Sequence, residues 1–123
     1  MKRDMDLIKA ILLDLEEHCD ATFGYKPSKK TVRYAYSGTD NEFDEHCRLI
    51  EEQGLAKTIN SVTDGIFFVS LTWAGHDFLD NSRDSRVWKA AKDAAGRFSF
   101  GVFTATLAEA ANAAALKALE KAF

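Results

Sequence analysis

EFDEHCRLIEEQGLAKTINSVTDGIFFVSLTWAGHDFLD, residues 42–80, sets a helical run, a terminating glycine, an apolar hairpin and a Thr-led second helix end to end without spare linker. Phe43, Cys47 and Ile50 recur at helical spacing, either Thr39 or Asp40 stands where a cap belongs, and Gly54 provides the stop. From Leu55 the chain turns through NSVTDG into IFFVSL, with Asp64-Gly65 offering the positive-φ position such a turn requires. Along the second strand Phe67, Val69 and Leu71 share one face and Ile66 and Phe68 the other, so apolar side chains point both ways. Thr72 then caps the helix TWAGHDFLDNS, which directs Trp73, Phe78 and Leu79 inward. This order predicts an α+β winged helix-turn-helix-like domain, with the hairpin as its wing and residues 41–53 as its recognition helix.

Upstream, Met5, Ile8, Ile11, Leu12, Leu15 and Cys19 recur at helical spacing behind Asp4, predicting a capped amphipathic helix over 5–19. The period stops between Asp20 and Lys30, where Gly24, Pro27 and Ser28 mark a loop. TVRYAY then alternates Val32, Tyr34 and Tyr36 against Thr31, Arg33 and Ala35, which predicts a short half-buried strand. Only SGTD separates that strand from the recognition helix, so the scaffold helix of an ordinary helix-turn-helix is reduced to a turn.

Downstream, Asp84 caps a helix carrying Val87, Trp88, Ala91 and Ala95, and Gly96 ends it. RFSFGV, residues 97–102, serves as a connector to an alanine-rich helix beginning at Phe103. Residues 1–96 are thus assigned to the winged-helix-like domain and residues 97–123 to an Ala-rich C-terminal helix packing on it or on a second subunit. In that helix Phe103 and Leu107 lie on one side and Leu116, Leu119 and Phe123 almost opposite. An apolar stripe left over in this way is a candidate oligomer contact, giving a possible homodimer through the C-terminal helix.

With 123 residues, 46% of them hydrophobic, the chain can bury a core without disulfide or metal. A formal net charge of −3 supplies no overall attraction to nucleic acid or an anionic membrane. Charged residues Asp4, Asp6 and Lys9 interrupt the first apolar run, and Glu109, Asn112 and Lys117 interrupt the last, so neither reads as a signal peptide or membrane span; the expected location is the cytoplasm. Cys19 and Cys47 each follow a histidine, His18 and His46, but adjacent helical residues diverge by about 100° and cannot easily share one ion. Buried thiols without metal are the expectation.

MKRDMDLIKAILLDLEE at the start, EHCRLIEEQGL, LTWAGHDFLDNSRDSRVWKAAK and SFGVFTATLAEAA together resemble the family catalogued as domain of unknown function two-five-one-three. The resemblance covers most of the chain. It implies an origin in bacteria or their phages and a winged-helix-like fold, and it carries no activity or binding residues.

The recognition-position helix bears Glu42, Asp44, Glu45, Glu51 and Glu52 against a single Arg48, a poor complement to phosphate. The leading expectation is therefore a non-enzymatic regulatory or adaptor protein, phage- or prophage-linked, with a protein partner favoured over DNA and Asn41, Glu42, Glu45, Arg48 and Glu52 as protein-contact candidates. The plain alternative for this helix is a solvated charged face. A DNA-binding transcriptional regulator would instead use Lys26, Lys29, Lys30, Arg33 and, on the wing, Lys57, with salt-sensitive phosphate contacts. Gly-rich phosphate loops, nucleophile elbows and metal-spaced clusters are missing from the sequence, and His76, Asp77 and Ser82 lie too close along one helix to form a triad. No catalytic residue, cofactor or small-molecule substrate is expected.

Overall fold

The computed structural model describes residues 1–59 and 65–123. It is α+β, with five helices and a two-stranded antiparallel hairpin among the described residues. In order these are α1 (Met5–His18), α2 (Asp40–Glu52), β1 (Ala56–Ile59), β2 (Phe67–Leu71), α3 (Trp73–Ser82), α4 (Ser85–Ala95) and α5 (Phe100–Ala122). The chain forms two compact units, Met1–Asp77 and Phe78–Phe123, with the division falling inside α3.

In the first unit, α1 starts where the Asp4 carboxylate accepts the Leu7 N–H at 3.1 Å. The buried apolar residues of α1 are Met5, Leu7, Ile8, Ala10, Ile11, Leu12 and Leu15. These meet Phe43, Cys47 and Ile50 of α2 and Phe68 and Leu71 of β2 in one core. Fully burying a side chain of this size is worth about 1.5–3 kcal/mol, so this stripe dominates the unit's stability. Between α1 and α2 the chain forms no helix, as the reduced scaffold segment predicted.

Residues 31–36 do not form the strand that their alternation predicted. Val32 is buried and Tyr34 and Tyr36 are half-buried, so the alternation of burial is real, but the backbone bends. Local polar bonds account for the bends: Thr31 N–H returns to the Ser28 carbonyl and Tyr36 N–H to the Tyr34 carbonyl. Tyr34 hydroxyl, meanwhile, donates to Asp4 at 2.7 Å. The outer side of β2 is met by Tyr25, which exchanges two backbone hydrogen bonds of 2.8 Å with Phe68.

Within the hairpin the register slips by one residue between Lys57 and Thr58, which pair with Ser70 and Phe68. This bulge breaks the simple two-face alternation: Phe68 and Leu71, three residues apart, are both buried, while Phe67 and Val69 are half-buried. Residues 60–64, including Asp64, lie outside the described residues; Gly65 has the expected positive φ of 93°.

Thr72 caps α3, its hydroxyl accepting the Gly75 N–H at 3.1 Å. Phe78 and Leu79 are buried as predicted, but Trp73 is 85% exposed. The side of α3 pressed to the protein here is Gly75, where a Cβ would collide with the Leu55 carbonyl. Two residues of helix place Trp73 about 200° around the axis from that contact, which turns it to solvent.

In the second unit, Asp84 and Gly96 bound α4 as read from the sequence. The connector is shorter than 97–102: Ser99 accepts the Val102 N–H at 3.2 Å and caps α5, so Phe100, Gly101 and Val102 are helical. An aromatic cluster forms the core, with Trp88 5.4 Å from Phe103 and Phe78 5.8 Å from Trp88, both edge-on, and Phe78 stacked 5.9 Å from Phe100. Such pairs add about 0.5–1.5 kcal/mol each beyond area burial.

Candidate functional site

The α2 face is built from its N-terminus. Thr39 and Glu42 form a reciprocal capping box, Thr39 Oγ1 accepting the Glu42 N–H at 3.1 Å and Glu42 Oε1 accepting the Thr39 N–H at 3.2 Å. The Thr39 N–H and the Thr39 hydroxyl, each donating to Glu42 Oε1 at 3.2 Å, hold the Glu42 carboxyl below the usual range. Glu42 is therefore engaged in holding the helix start. One turn further on, Glu45 pairs with Arg48 at 3.0 Å. Asn41, Asp44, Glu51 and Glu52 are exposed, and among the described residues no ion pair holds the three carboxylates.

The orientation of this face depends on His46, which the sequence reading weighed as a metal ligand and set aside on spacing. It is fully buried. Its Nδ1–H donates to the Glu42 carbonyl at 2.7 Å and its Nε2 accepts the Asp4 N–H at 2.9 Å, a neutral tautomer fixed at both nitrogens. Asp4 in turn caps α1 and accepts the Tyr34 hydroxyl, a bond that, with burial, raises the Tyr34 pKa to about 12. The start of α1, α2 and residue 34 are thus joined by one polar chain.

The basic candidates are spread rather than pooled. Lys29 Nζ donates to the Gly38 carbonyl at 2.7 Å, and Arg33 pairs with Glu17 at 3.1 Å. Lys30 and Lys57 are exposed, and the Lys26 side chain comes up against Gly65 at the base of the wing.

A second centre surrounds Asp14, a buried carboxylate that sequence reading passed over. It accepts the Thr31 hydroxyl at 2.7 Å and the Tyr25 hydroxyl at 2.9 Å, and meets His18 Nδ1 at 2.9 Å. His18 also stacks on Tyr25, with centroids 5.2 Å apart. A recess of about 410 Å³ opens beside it, lined by Leu13, Glu17, Thr31 and Arg33. With its oxygens occupied by donors from Thr31, Tyr25 and His18, Asp14 organises the loop of residues 20–31. Burial and the nearby Asp14 charge raise the Cys19 thiol to about 11, and burial foremost raises Cys47 to about 12. Among the described residues no three His, Cys, Asp or Glu side chains gather in a way that could hold a metal ion.

On α5, Phe100, Phe103 and Leu107 are buried, whereas Leu116 and Leu119 are each 53% exposed and Phe123 99%. A groove of about 640 Å³ between α4 and α5 is floored by Val87, Ala90, Ala110 and Ala114.

The family described as "Hypothetical protein (DUF2513)" matches residues 2–100. The chain belongs to the DUF2513 family. A Haemophilus influenzae protein described as an uncharacterized protein is 34% identical over 96 residues, which is 75% of this chain and 76% of that one. No solved structure matches. The DUF2513 match takes in α1 to α4, and with them the α2 face, Trp73 and the Asp14 centre, and it ends at the first residue of α5. The Leu116, Leu119 and Phe123 stripe lies beyond it.

Within this DUF2513 chain, Asp14 and His46 carried a legible signal. Asp14 is three residues from Ile11 and seven from Leu7, and His46 three from Phe43 and four from Ile50, so each polar side chain falls in an apolar stripe. Such residues must find partners inside.

Proposed function

We propose that this DUF2513 chain is a non-enzymatic, winged-helix-like regulatory or adaptor protein that acts by binding another protein through the outer face of α2. Support for the winged-helix reading comes from the order of α1, α2 and the β1–β2 hairpin. It comes equally from the Tyr25–Phe68 bridge, which stands where a third strand would join the sheet. The resemblance to chains of bacteria and their phages supports a phage- or prophage-linked modulator of bacterial machinery.

One observation carries the choice of partner. In the position from which a winged helix reads DNA, α2 presents Asp44, Glu51 and Glu52 without ion partners among the described residues, and its single cation, Arg48, is already held by Glu45. Bringing that surface to a duplex sets carboxylates against phosphates, where affinity depends on neutralising charge. Protein partners face no such penalty. The test is double charge reversal, Glu45→Lys with Glu52→Lys, which is expected to abolish capture of the partner from bacterial lysate while leaving the melting transition in place. Unchanged capture by that variant would remove the site from α2.

The DNA reading retains one supporting observation, that Lys26 reaches the base of the wing and brings residues 26–33 and the hairpin together. In that reading Lys29→Glu with Lys30→Glu abolishes duplex binding.

A further inference from the structure

We propose that α5 is the seam of a homodimer, packing antiparallel against α5 of a second copy in one fixed register. Among the described residues of the second unit, the exposed large hydrophobics are Phe98, Val102, Leu116, Leu119 and Phe123. They do not scatter. Val102, Ala105, Glu109, Asn112, Leu116 and Leu119 step by three and four residues in turn, and Phe123 completes the series. All of these are exposed, and the spacing keeps them on one side of the helix within about 100° of arc. Phe100, Phe103 and Leu107 are buried on the opposite side, where half-buried Ala110, Ala111 and Ala114 follow them. A three-four repeat is the spacing of a two-helix seam, because it keeps the same side of each helix turned to the other over successive turns.

The residues of the seam select both its occupant and its direction. With two copies of α5 antiparallel about the midpoint between Ala110 and Ala111, Val102 meets Leu119 of the second copy and Ala105 meets Leu116. The larger side chains of one half are thus set against the smaller ones of the other, as close packing requires. Phe98, just before the Ser99 cap, comes opposite Phe123, the C-cap. At the centre Glu109 meets Asn112 in both directions, and the Asn amide N–H groups donate to the carboxylate. A parallel pair would instead set Glu109 against Glu109, like charges across a closing seam. Along one flank Gly101, Ala108, Ala115 and Ala122 carry nothing larger than a methyl group, which lets the two backbones come close. A pattern that matches itself when reversed is what a two-fold, isologous interface requires, so the occupant is a second copy.

The experiment follows the molar mass of the full chain by sedimentation over a range of concentrations. The expected result is twice the chain mass, with a dissociation constant raised about tenfold or more by Leu119→Asp, an exposed position at which the helical circular dichroism should persist. A charge swap then reads the direction. Asn112→Asp sets a carboxylate against Glu109 of the second copy and should weaken the dimer. Adding Glu109→Lys should restore it, because each lysine then faces an aspartate across the antiparallel seam, whereas a parallel pair would set like charges together in two layers and stay weak. A monomeric wild type at every concentration overturns the proposal, as does a dimer indifferent to Leu119→Asp, which would place the contact elsewhere. A dimer that Leu119→Asp dissociates, and that Glu109→Lys does not rescue from Asn112→Asp, overturns the antiparallel register.

Discussion

Asp14 is a charged residue that the core of the first unit has accommodated by surrounding it with donors. Its three partners come from α1 itself and from residues 25 and 31, so removing the carboxylate loosens the loop and strands donors together. Asp14→Ala should lower unfolding stability by about 1–3 kcal/mol in urea titrations, and Tyr25→Phe, which removes one bond, by about 1 kcal/mol. Equal stability of Asp14→Ala and the parent would show that the carboxylate is merely tolerated. The raised thiol and phenol at Cys47 and Tyr34 carry a pH signature. Both stay protonated in the folded chain up to about 12, against ordinary values of 9.0 and 10.0. Above those ordinary values the unfolded chain holds fewer protons than the folded one, so stability falls as pH rises and is lost progressively towards pH 12. Urea midpoints recorded at pH 8, 10 and 11 should decline in that order; a flat series would contradict the burial of Cys47.

Four of the five described helices were legible from a short polar residue at their start, whereas Ser99, which caps α5, was read as part of the connector. Asp4, Thr72 and Asp84 cap the helices assigned to them, and of the two residues offered for α2 Thr39 is the cap, because the unsatisfied N–H groups of a first turn select such residues whatever the tertiary context. Features that depend on a distant neighbour were not legible. The alternation at residues 31–36 resembles a strand, yet Tyr34 is directed by Asp4, thirty positions away, and Tyr25 takes the place beside β2. Trp73 looked like an inward residue by hydrophobicity, but Gly75 is the residue that fits against Leu55. Of the candidate α2 face, the acidic character was readable, whereas the engagement of Glu42 in a cap and of Arg48 in a pair was a matter of rotamers. Two glycines separate close approach from backbone freedom. Gly75→Ala should destabilise by about 3 kcal/mol or more through collision with backbone. Gly54→Ala, at a φ of 69° with open space around it, should cost about 1–2 kcal/mol. Comparable losses at both positions in thermal unfolding would remove close approach as the reason for Gly75.

For the whole molecule, two surfaces have no occupant within the described chain: the acidic face of α2 and the apolar stripe of α5. The stripe makes a separable prediction. If Leu116, Leu119 and Phe123 join two copies, the wild-type chain has the mass of a dimer in solution and Leu116→Asp that of a monomer; a monomeric wild type defeats the contact. No helix among the described residues is long and apolar enough to cross a membrane. The acidic face bears the central claim, that this chain meets protein through α2 and not nucleic acid. Its most direct test is binding to labelled mixed-sequence duplex DNA at low and then near-physiological salt. The account predicts no saturable binding at either. Saturable binding that survives the higher salt and disappears in Lys29→Glu with Lys30→Glu would contradict it.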